Sequence, residues 1–234
     1  MTKFNLNNLK IKGSHGSDFS LNNHNGIFQN INVEVYFREL ENAIISKINE
    51  ADYIFGCVAW LTNFKILKAL SNCETFIIVQ KEDFLRPDAG IKSKKVYKEK
   101  LRSSYNSLSC NLNSHLMQNK ALQIIGGSYG FDFVEPIRCV GMTSKLNKSI
   151  PRMHNKFIIF CKNDDYNFVE PYAVWTGSFN FTKNAIFSFE NAIYINDKKV
   201  ADRYFEEFGQ IAALSEPLDW ETEYIKPEWE EAFS

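Results

Sequence analysis

The sequence predicts a single α/β domain with a parallel pair of strands at its centre. Residues 53–61, YIFGCVAWL, form a continuous apolar run of β-forming residues whose length suits a fully buried strand. Residues 63–70 follow with the spacing of an amphipathic helix, and residues 75–80, TFIIVQ, form a second buried strand. Strand, helix and strand joined by short links make a βαβ unit, which places its two strands parallel in one sheet.

Length and composition agree with one globular domain. The chain has 234 residues, of which 44% are hydrophobic and 24% are charged, and these values exclude disorder, collagen and coiled coil. The net charge of −1 excludes a uniformly basic binding protein. This charge is unevenly distributed, because residues 216–234 hold seven acidic residues and one basic residue, which leaves a net charge of +5 for residues 1–215.

The remaining elements are predicted from hydrophobic periodicity. Further strands are expected at residues 33–37, 136–141, 156–161, 172–176 and 189–195, and further helices at residues 38–49 and 197–214. We divide the chain into a polar N-terminal arm, a catalytic domain and an acidic C-terminal tail, at residues 1–30, 31–215 and 216–234. Trp220 and Trp229 are expected to dock this tail on the body or on a partner subunit.

The cysteines and the N-terminal residues predict a cytoplasmic protein. Five cysteines, an odd number without any Cys-x-x-Cys pair, indicate reduced, buried thiols rather than disulfides or a zinc site. The N-terminal residues lack the apolar region of a secretory signal, and no run of about 18 apolar residues predicts a membrane span.

Two short motifs carry the chemistry. His154-Asn155-Lys156 precedes one predicted strand, and Gly177-Ser178-Phe179-Asn180 follows the next. A neutral imidazole at His154 can attack phosphorus, and Lys156, two residues along a strand, points the same way and can hold a phosphate oxygen. Ser178 and Asn180 are related by the same spacing and supply polar groups to the same pocket.

This combination resembles the active-site motif of the phospholipase D superfamily, His-x-Lys followed by Gly-Ser-x-Asn. The resemblance covers residues 33–80 and 136–210 and implies an α/β/α sandwich, with a mixed, largely parallel sheet flanked by helices. It also implies that an acid after the second motif orients the imidazole, and Glu190 matches that acid best. No metal ion and no cofactor are implied.

The chain departs from the family pattern at Cys161, where the motif has Asp. Asp164 and Asp165 lie slightly later in the sequence and are alternatives for that acid. The motif occurs once, whereas a complete site in the superfamily uses two copies. The resemblance therefore implies a homodimer in which two His154 side chains share one site.

The function expected from these residues is that of a metal-independent endonuclease on DNA or RNA, acting through a phosphohistidine intermediate. A basic run is equally consistent with contact to a phosphate backbone and with a solvated helix face. It comprises Lys92, Lys94, Lys95, Lys98, Lys100 and Arg102. One alternative is a phospholipase D-type lipid hydrolase, without stable membrane insertion. Another is a non-catalytic or regulated nucleic-acid-binding or defence component, in which the acidic tail lies over a basic cleft.

Overall fold

The structure, a computed structural model, contains one large β-sheet, a separate two-stranded sheet and four α-helices in the part of the chain that it describes. It describes residues 10–11, 19–20, 32–86, 95–111, 134–143, 150–166, 168–220 and 222–225. The strands are β1 (Lys10–Ile11), β2 (Phe19–Ser20), β3 (Asn32–Tyr36), β4 (Tyr53–Val58), β5 (Glu74–Gln80), β6 (Ile137–Val140), β7 (Lys156–Asn163), β8 (Val169–Gly177), β9 (Ala192–Asn196) and β10 (Glu216–Pro217). The helices are α1 (Leu40–Ile48), α2 (Phe64–Leu70), α3 (Lys95–Tyr105) and α4 (Lys198–Ala213).

Within the described residues, the main sheet has eight strands in the order β10-β6-β5-β4-β7-β8-β9-β3. Strand β5 pairs in parallel with β4 and with β6, so the predicted βαβ unit, β4-α2-β5, is confirmed. The other five pairings are antiparallel. The sheet is therefore mixed and open, with β10 and β3 as its two outer strands.

The mixed sheet flanked by helices is confirmed, but the parallel share is smaller than the expected majority. The reason lies in the connections of the second half of the chain. Residues 164–168 join β7 to β8, and residues 178–191 join β8 to β9 without an α-helix. A parallel pair needs a crossover connection, usually a helix, so these links give antiparallel hairpins.

The two faces of the sheet carry separate hydrophobic cores. Successive residues of a strand point to opposite faces. Accordingly, Ile54 and Val58 of β4 pack with side chains of α1, α2 and α3, whereas Phe55 and Cys57 pack with side chains of α4. Helices thus cover both faces, and the chain forms the α/β/α sandwich that the resemblance implies.

Side-chain caps fix where two helices begin. Asn63 caps α2, where its side-chain oxygen accepts the N–H of Lys65 at 2.9 Å, and its amide donates to Glu41 of α1 at 2.6 Å. Asp197 caps α4 by accepting the N–H of Val200 at 3.0 Å. These caps satisfy N–H groups that have no partner inside the helix. They confirm both predicted helix starts to within one residue.

The C-terminal tail is joined to the body as far as it is described. Glu216 of β10 forms an ion pair with the buried ammonium of Lys81, which also donates to the carbonyl oxygen of Tyr224 at 2.8 Å. The ring of Trp220 is buried, with its centroid 5.2 Å from Lys81 Nζ. Trp220 therefore docks the tail on the body, whereas Trp229 lies outside the described residues.

Of the N-terminal arm, only β1 and β2 are described, and they pair antiparallel with each other. The rest of the predicted arm lies outside the described residues.

Candidate active site at one edge of the main sheet

Strand ends bring the predicted catalytic residues to one edge of the main sheet. Lys156, the first residue of β7, pairs with Val58, the last of β4, and Gly177, the last of β8, pairs with Ala192, the first of β9. Since β7 and β8 are also antiparallel neighbours, all four ends lie at the same edge. The strand ends and the segments that extend from them carry the predicted catalytic side chains His154, Lys156, Ser178, Asn180 and Glu190.

The backbone around His154 is fixed on both sides. The carbonyl oxygen of Asn155 accepts the N–H of Ala59 at 2.9 Å, which extends the pairing of β4 and β7 beyond the strand ends. The N–H of Met153 donates to Oε1 of Gln80 at 2.7 Å. Residue 154 is therefore held between two anchored neighbours while its side chain remains exposed.

The imidazole of His154 contacts the indole of Trp60. The two rings meet edge to face, with centroids 5.5 Å apart and planes at 80°. Loss of water around the ring, and then the charges of Lys156 and Arg152, lower the pKa of His154 below its usual 6.5. A lower pKa favours the neutral imidazole, which is the nucleophilic form.

Lys156 is a buried cation beside His154. Its Nζ donates to the carbonyl oxygen of His154 at 2.8 Å and lies 5.7 Å from the centroid of the Trp60 ring. Burial lowers the pKa of Lys156, and the charge of Glu190 counteracts part of that effect. Both motif side chains thus adjoin Trp60, which the sequence analysis did not identify.

Ser178 and Glu190 form a hydrogen-bonded pair across β8 and β9. The Ser178 hydroxyl donates to Oε2 of Glu190 and accepts the N–H of Asn191 at 3.0 Å. The expected role of Glu190 was to orient the imidazole, but the hydrogen bond that the structure describes goes to Ser178. Through its charge on Lys156, Glu190 still takes part in the electrostatics of the site.

The Gly-Ser-x-Asn motif combines a close backbone contact with a buried polar group that has no partner among the described residues. A Cβ atom at Gly177 would lie 2.2 Å from the carbonyl oxygen of Asn191, so only glycine lets β8 approach β9 this closely. The side-chain oxygen of Asn180 is buried and accepts no hydrogen bond from the described part of the chain. Among the described residues, no donor satisfies this acceptor.

Cys161 and the two aspartates near it lie away from this edge. Cys161 is buried among the side chains that pack against α4, and burial raises the pKa of its thiol, which makes it a packing residue. Asp164 follows the far end of β7, where its carboxylate accepts the N–H groups of Tyr166 and Phe168, each at 2.8 Å. It therefore shapes the β7–β8 hairpin, and neither it nor the adjacent Asp165 replaces the motif acid at the site.

The basic run is only partly described, and several of its members contact other residues of the chain. Lys92 and Lys94 lie outside the described residues. Arg102 forms an ion pair with Asp219 of the tail at 3.1 Å, and Nζ of Lys100 lies 4.4 Å from the ring centroid of Phe64. The ammonium of Lys95 lies 3.9 Å from the carboxylate of Glu99, and Lys98 is described on α3 as well. The described part of the run, Lys95 to Arg102, thus lies on α3, and its last member, Arg102, is engaged with the tail.

The residues that sequence reasoning missed surround His154. Trp60, Gln80, Glu82 and Arg152 come from three separate segments. Glu82 accepts hydrogen bonds from the indole of Trp60 at 3.2 Å and from Arg152 at 3.3 Å. Trp60 and Gln80 lie at the ends of two buried runs, Glu82 comes two residues after the second run, and Arg152 precedes the His-x-Lys motif. Polar or aromatic residues at the end of a buried strand, or next to the motif, were therefore the sequence signal that could have identified these residues.

No group of three or more His, Cys, Asp or Glu side chains among the described residues is arranged to hold a metal ion. No described helix combines the length and the apolar character needed to cross a membrane.

Comparison with known proteins gives the family. Residues 44–212 match the family model described as cardiolipin synthase, PLD-like domain. The uncharacterized protein L381 of Acanthamoeba polyphaga mimivirus is 36% identical over 227 residues, which cover 93% of this chain and 75% of that protein. The chain therefore belongs to the phospholipase D superfamily, whose members are phosphodiesterases, nucleases among them.

Solved structures of low sequence identity are also similar to this chain. NucT from Helicobacter pylori is 17% identical with a TM-score of 0.46, and the match covers 79% of this chain and 98% of NucT. Nuc from Salmonella typhimurium, a phospholipase D family member, is 20% identical with a TM-score of 0.46, over 80% of this chain and 97% of Nuc.

Proposed function

We propose that the protein is a metal-independent endonuclease that cleaves phosphodiester bonds of DNA or RNA. The observation that carries this proposal is the placement of His154 and Lys156 at one sheet edge with Ser178, Asn180 and Glu190. The imidazole has a lowered pKa and stands next to a buried ammonium, a pairing that suits nucleophilic attack on a phosphate diester. The net charge of +5 over residues 1–215 favours a polyanionic substrate.

In the first chemical step the neutral imidazole of His154 attacks phosphorus. A P–N bond forms while the bond from phosphorus to the leaving oxygen breaks, and that oxygen takes a proton from the imidazolium of the partner subunit's His154. Lys156 stabilises the charge on a non-bridging oxygen as a fixed cation. A metal ion is not needed in this scheme, because the protein supplies the positive charge.

In the second step water hydrolyses the phosphohistidine. The partner subunit's His154, now neutral, takes a proton from the attacking water, the P–N bond breaks, and His154 leaves as a neutral imidazole. The products are a phosphate monoester and the alcohol end released in the first step. Since the chain supplies one histidine and the cycle uses two, the proposed active form is a homodimer.

An activity panel in EDTA tests the nuclease. Single-stranded DNA, double-stranded DNA, RNA and phosphatidylcholine vesicles are incubated with the wild type and with His154→Ala. We expect cleavage of nucleic acid in EDTA and its loss by about a thousandfold or more in His154→Ala. Cleavage that EDTA abolishes, or that survives in His154→Ala, would contradict the mechanism.

One observation favours a lipid hydrolase as the second candidate. Ile186, Phe187 and Phe189 are exposed in the loop that ends at Glu190, and Phe187 and Phe189 are 79% and 92% exposed. Apolar side chains of this kind, beside a catalytic site, suit insertion into a lipid interface. If vesicles are the substrate, Phe187→Ser should reduce their turnover, while Tyr166→Ser, at an exposed aromatic residue in the β7–β8 hairpin, should not.

A further inference from the structure

The side-chain amide of Gln80 joins three segments beside His154. Gln80 is the last residue of β5 and is 1% exposed. Its Oε1 accepts the N–H of Met153 at 2.7 Å, one residue before the histidine. Its Nε2 donates to the carbonyl oxygens of Lys81 and Met142, each at 2.9 Å. The ends of β5 and β6 are therefore bonded to the segment that leads into β7.

Only an amide can make this set of hydrogen bonds. The site uses one acceptor and two donors, which is what a glutamine side chain offers, whereas a carboxylate lacks the donors. Losing the amide would leave a buried N–H and two carbonyl oxygens without this partner, which is costly in a dry environment. The three bonds together fix the position of Met153 relative to the sheet.

The chain at Gly141 accommodates the same amide. Gly141 follows β6 directly, has a φ of +106°, and a Cβ atom there would lie 2.5 Å from Oε1 of Gln80. A side chain at this position would displace the amide from Met153. The backbone next to β6 is thus shaped around Gln80.

Glu82, two residues after Gln80, holds the other side of His154. Its carboxylate accepts hydrogen bonds from Trp60 and Arg152. The Trp60 ring in turn packs edge to face against the imidazole. The end of β5 and the residues after it therefore contact both the segment that precedes His154, through Gln80 and Glu82, and the aromatic ring beside it, through Glu82.

The imidazole itself has no carboxylate partner in the described part of the chain, since Glu190 bonds Ser178. Its placement must then come from its backbone and from Trp60. We infer that Gln80 is a positioning residue of the active site, which fixes the nucleophilic His154 by holding the N–H of Met153. This inference rests on the proposed function, and it names a residue that neither motif contains.

The expected effect of losing the amide is a loss of turnover with little loss of substrate binding. Gln80→Met is close in size and lacks both the acceptor and the donors. We expect a fall in kcat of about tenfold to a hundredfold, because a displacement near 1 Å of a reacting group has effects of that order. KM should change by less than about threefold, since Lys156 and the Gly-Ser-x-Asn residues remain in place.

Two readouts test this without assuming an activity. The first is amide hydrogen exchange of Met153 in the wild type, where we expect protection although the residue lies outside a strand. The second is the Cε1–H signal of His154 in NMR spectra, assigned among the four histidines by its absence in His154→Ala. In Gln80→Met we expect this signal to shift or broaden.

Gln80→Glu and Gln210→Met serve as matched variants. Gln80→Glu keeps the acceptor and should recover part of both kcat and the His154 signal. Gln210 is a second buried glutamine, on α4 and 2% exposed, so Gln210→Met controls for the loss of a buried amide elsewhere. It should leave kcat and the His154 signal unchanged.

The outcomes separate the two proposals. Rapid exchange of Met153, or a folded Gln80→Met with wild-type His154 signal and kcat, overturns the role of Gln80. Equal effects of Gln80→Met and Gln210→Met on kcat also overturn it, because the effect would then be one of general stability. If no phosphodiester is cleaved by the wild type, the proposed function fails, while the exchange and NMR readouts still decide whether Gln80 fixes His154. If Gln80→Met does not fold, Gln80→Glu and Met153 exchange decide the question.

Discussion

His154 can act as a nucleophile only while its imidazole is neutral, so its surroundings set the working range of the site. Loss of water around the ring and the charges of Lys156 and Arg152 lower its pKa below 6.5. The neutral form therefore persists to lower pH than it would in a solvated histidine. Of these causes, the charge of Arg152 can be removed by a substitution outside the His-x-Lys motif.

Arg152→Gln should raise the pKa of His154 toward 6.5. The side chain of Arg152 is 44% exposed, so we expect only a small rise, because solvent screens the charge. NMR titration of the His154 Cε1–H signal measures it. Arg203→Gln removes an exposed arginine from α4 and should leave the midpoint unchanged. A fall in the pKa of His154 in the Arg152→Gln variant would contradict the stated cause.

The same pKa direction predicts the acid side of the pH–rate profile. As pH falls through the lowered pKa, the imidazole becomes protonated and loses its nucleophilic lone pair, so kcat/KM should fall. We expect the midpoint of this acid limb below 6.5, and in a shared site it belongs to the pair of histidines. Arg152→Gln should move the limb to higher pH. A limb above 6.5 in the wild type would show that another group controls the rate.

At the scale of elements, the C-terminal tail belongs to the fold through β10 and the segment after it. Glu216 compensates the charge of the buried Lys81, and Ile225 is buried in the core that faces α4. Strand β10 also covers the edge of β6. This differs from a tail that lies over a basic cleft and can detach, which was one hypothesis from the sequence.

Truncation after Leu214 should therefore destabilise the protein rather than expose a binding surface. Removal of Glu216 leaves Lys81 buried without its carboxylate, and we expect a loss of about 3–5 kcal/mol or more in the free energy of unfolding. Urea unfolding measures it. Truncation after Ile225 is the matched control, since it keeps every tail contact described above. Unchanged stability together with stronger nucleic-acid binding in the shorter chain would support the detachable tail instead.

Helices and buried strands could be predicted because their signals are local. The apolar run of β4, the cap at Asn63 and the helical spacing in α4 each lie within one segment. The number of parallel pairs could not be predicted in this way. It depends on which strand lies beside which, and the hydrophobic pattern of β7 is the same whether its neighbour β4 runs parallel or antiparallel to it.

The candidate site could be predicted only in part, because only some of its residues are linked by local sequence signals. His154 and Lys156 belong to one motif, as do Ser178 and Asn180, so spacing alone groups them. Gln80 lies 73 positions before Met153 in the chain, and their hydrogen bond exists only because the sheet brings β5 close to the start of β7. Contacts of this kind follow from the register of the sheet, which one sequence does not determine.

At the scale of the whole molecule, one outer part of the sheet is covered by no helix of the described residues. Val33 and Val35 of β3 pair with Ile195 and Ile193 of β9, so they point to the face that α4 covers further along the sheet. Val33, Val35 and Phe37 are 39%, 56% and 58% exposed. An apolar surface of this kind is typical of a contact between proteins.

A second copy of the chain is the partner that the proposed mechanism requires, because one chain supplies one of the two histidines. We expect a dimer in light scattering, and Val35→Asp should weaken it by at least about a hundredfold, because an aspartate buried in an apolar interface is poorly solvated. Since Val35 is exposed in the single chain, the folding of the variant should be unchanged, while activity should fall with the loss of dimer. Tyr166→Asp, at a residue 79% exposed in the β7–β8 hairpin, should leave dimer and activity intact. A monomeric wild type that still cleaves phosphodiesters at full rate would show that the site is complete within one chain, and the shared histidine pair would then be wrong.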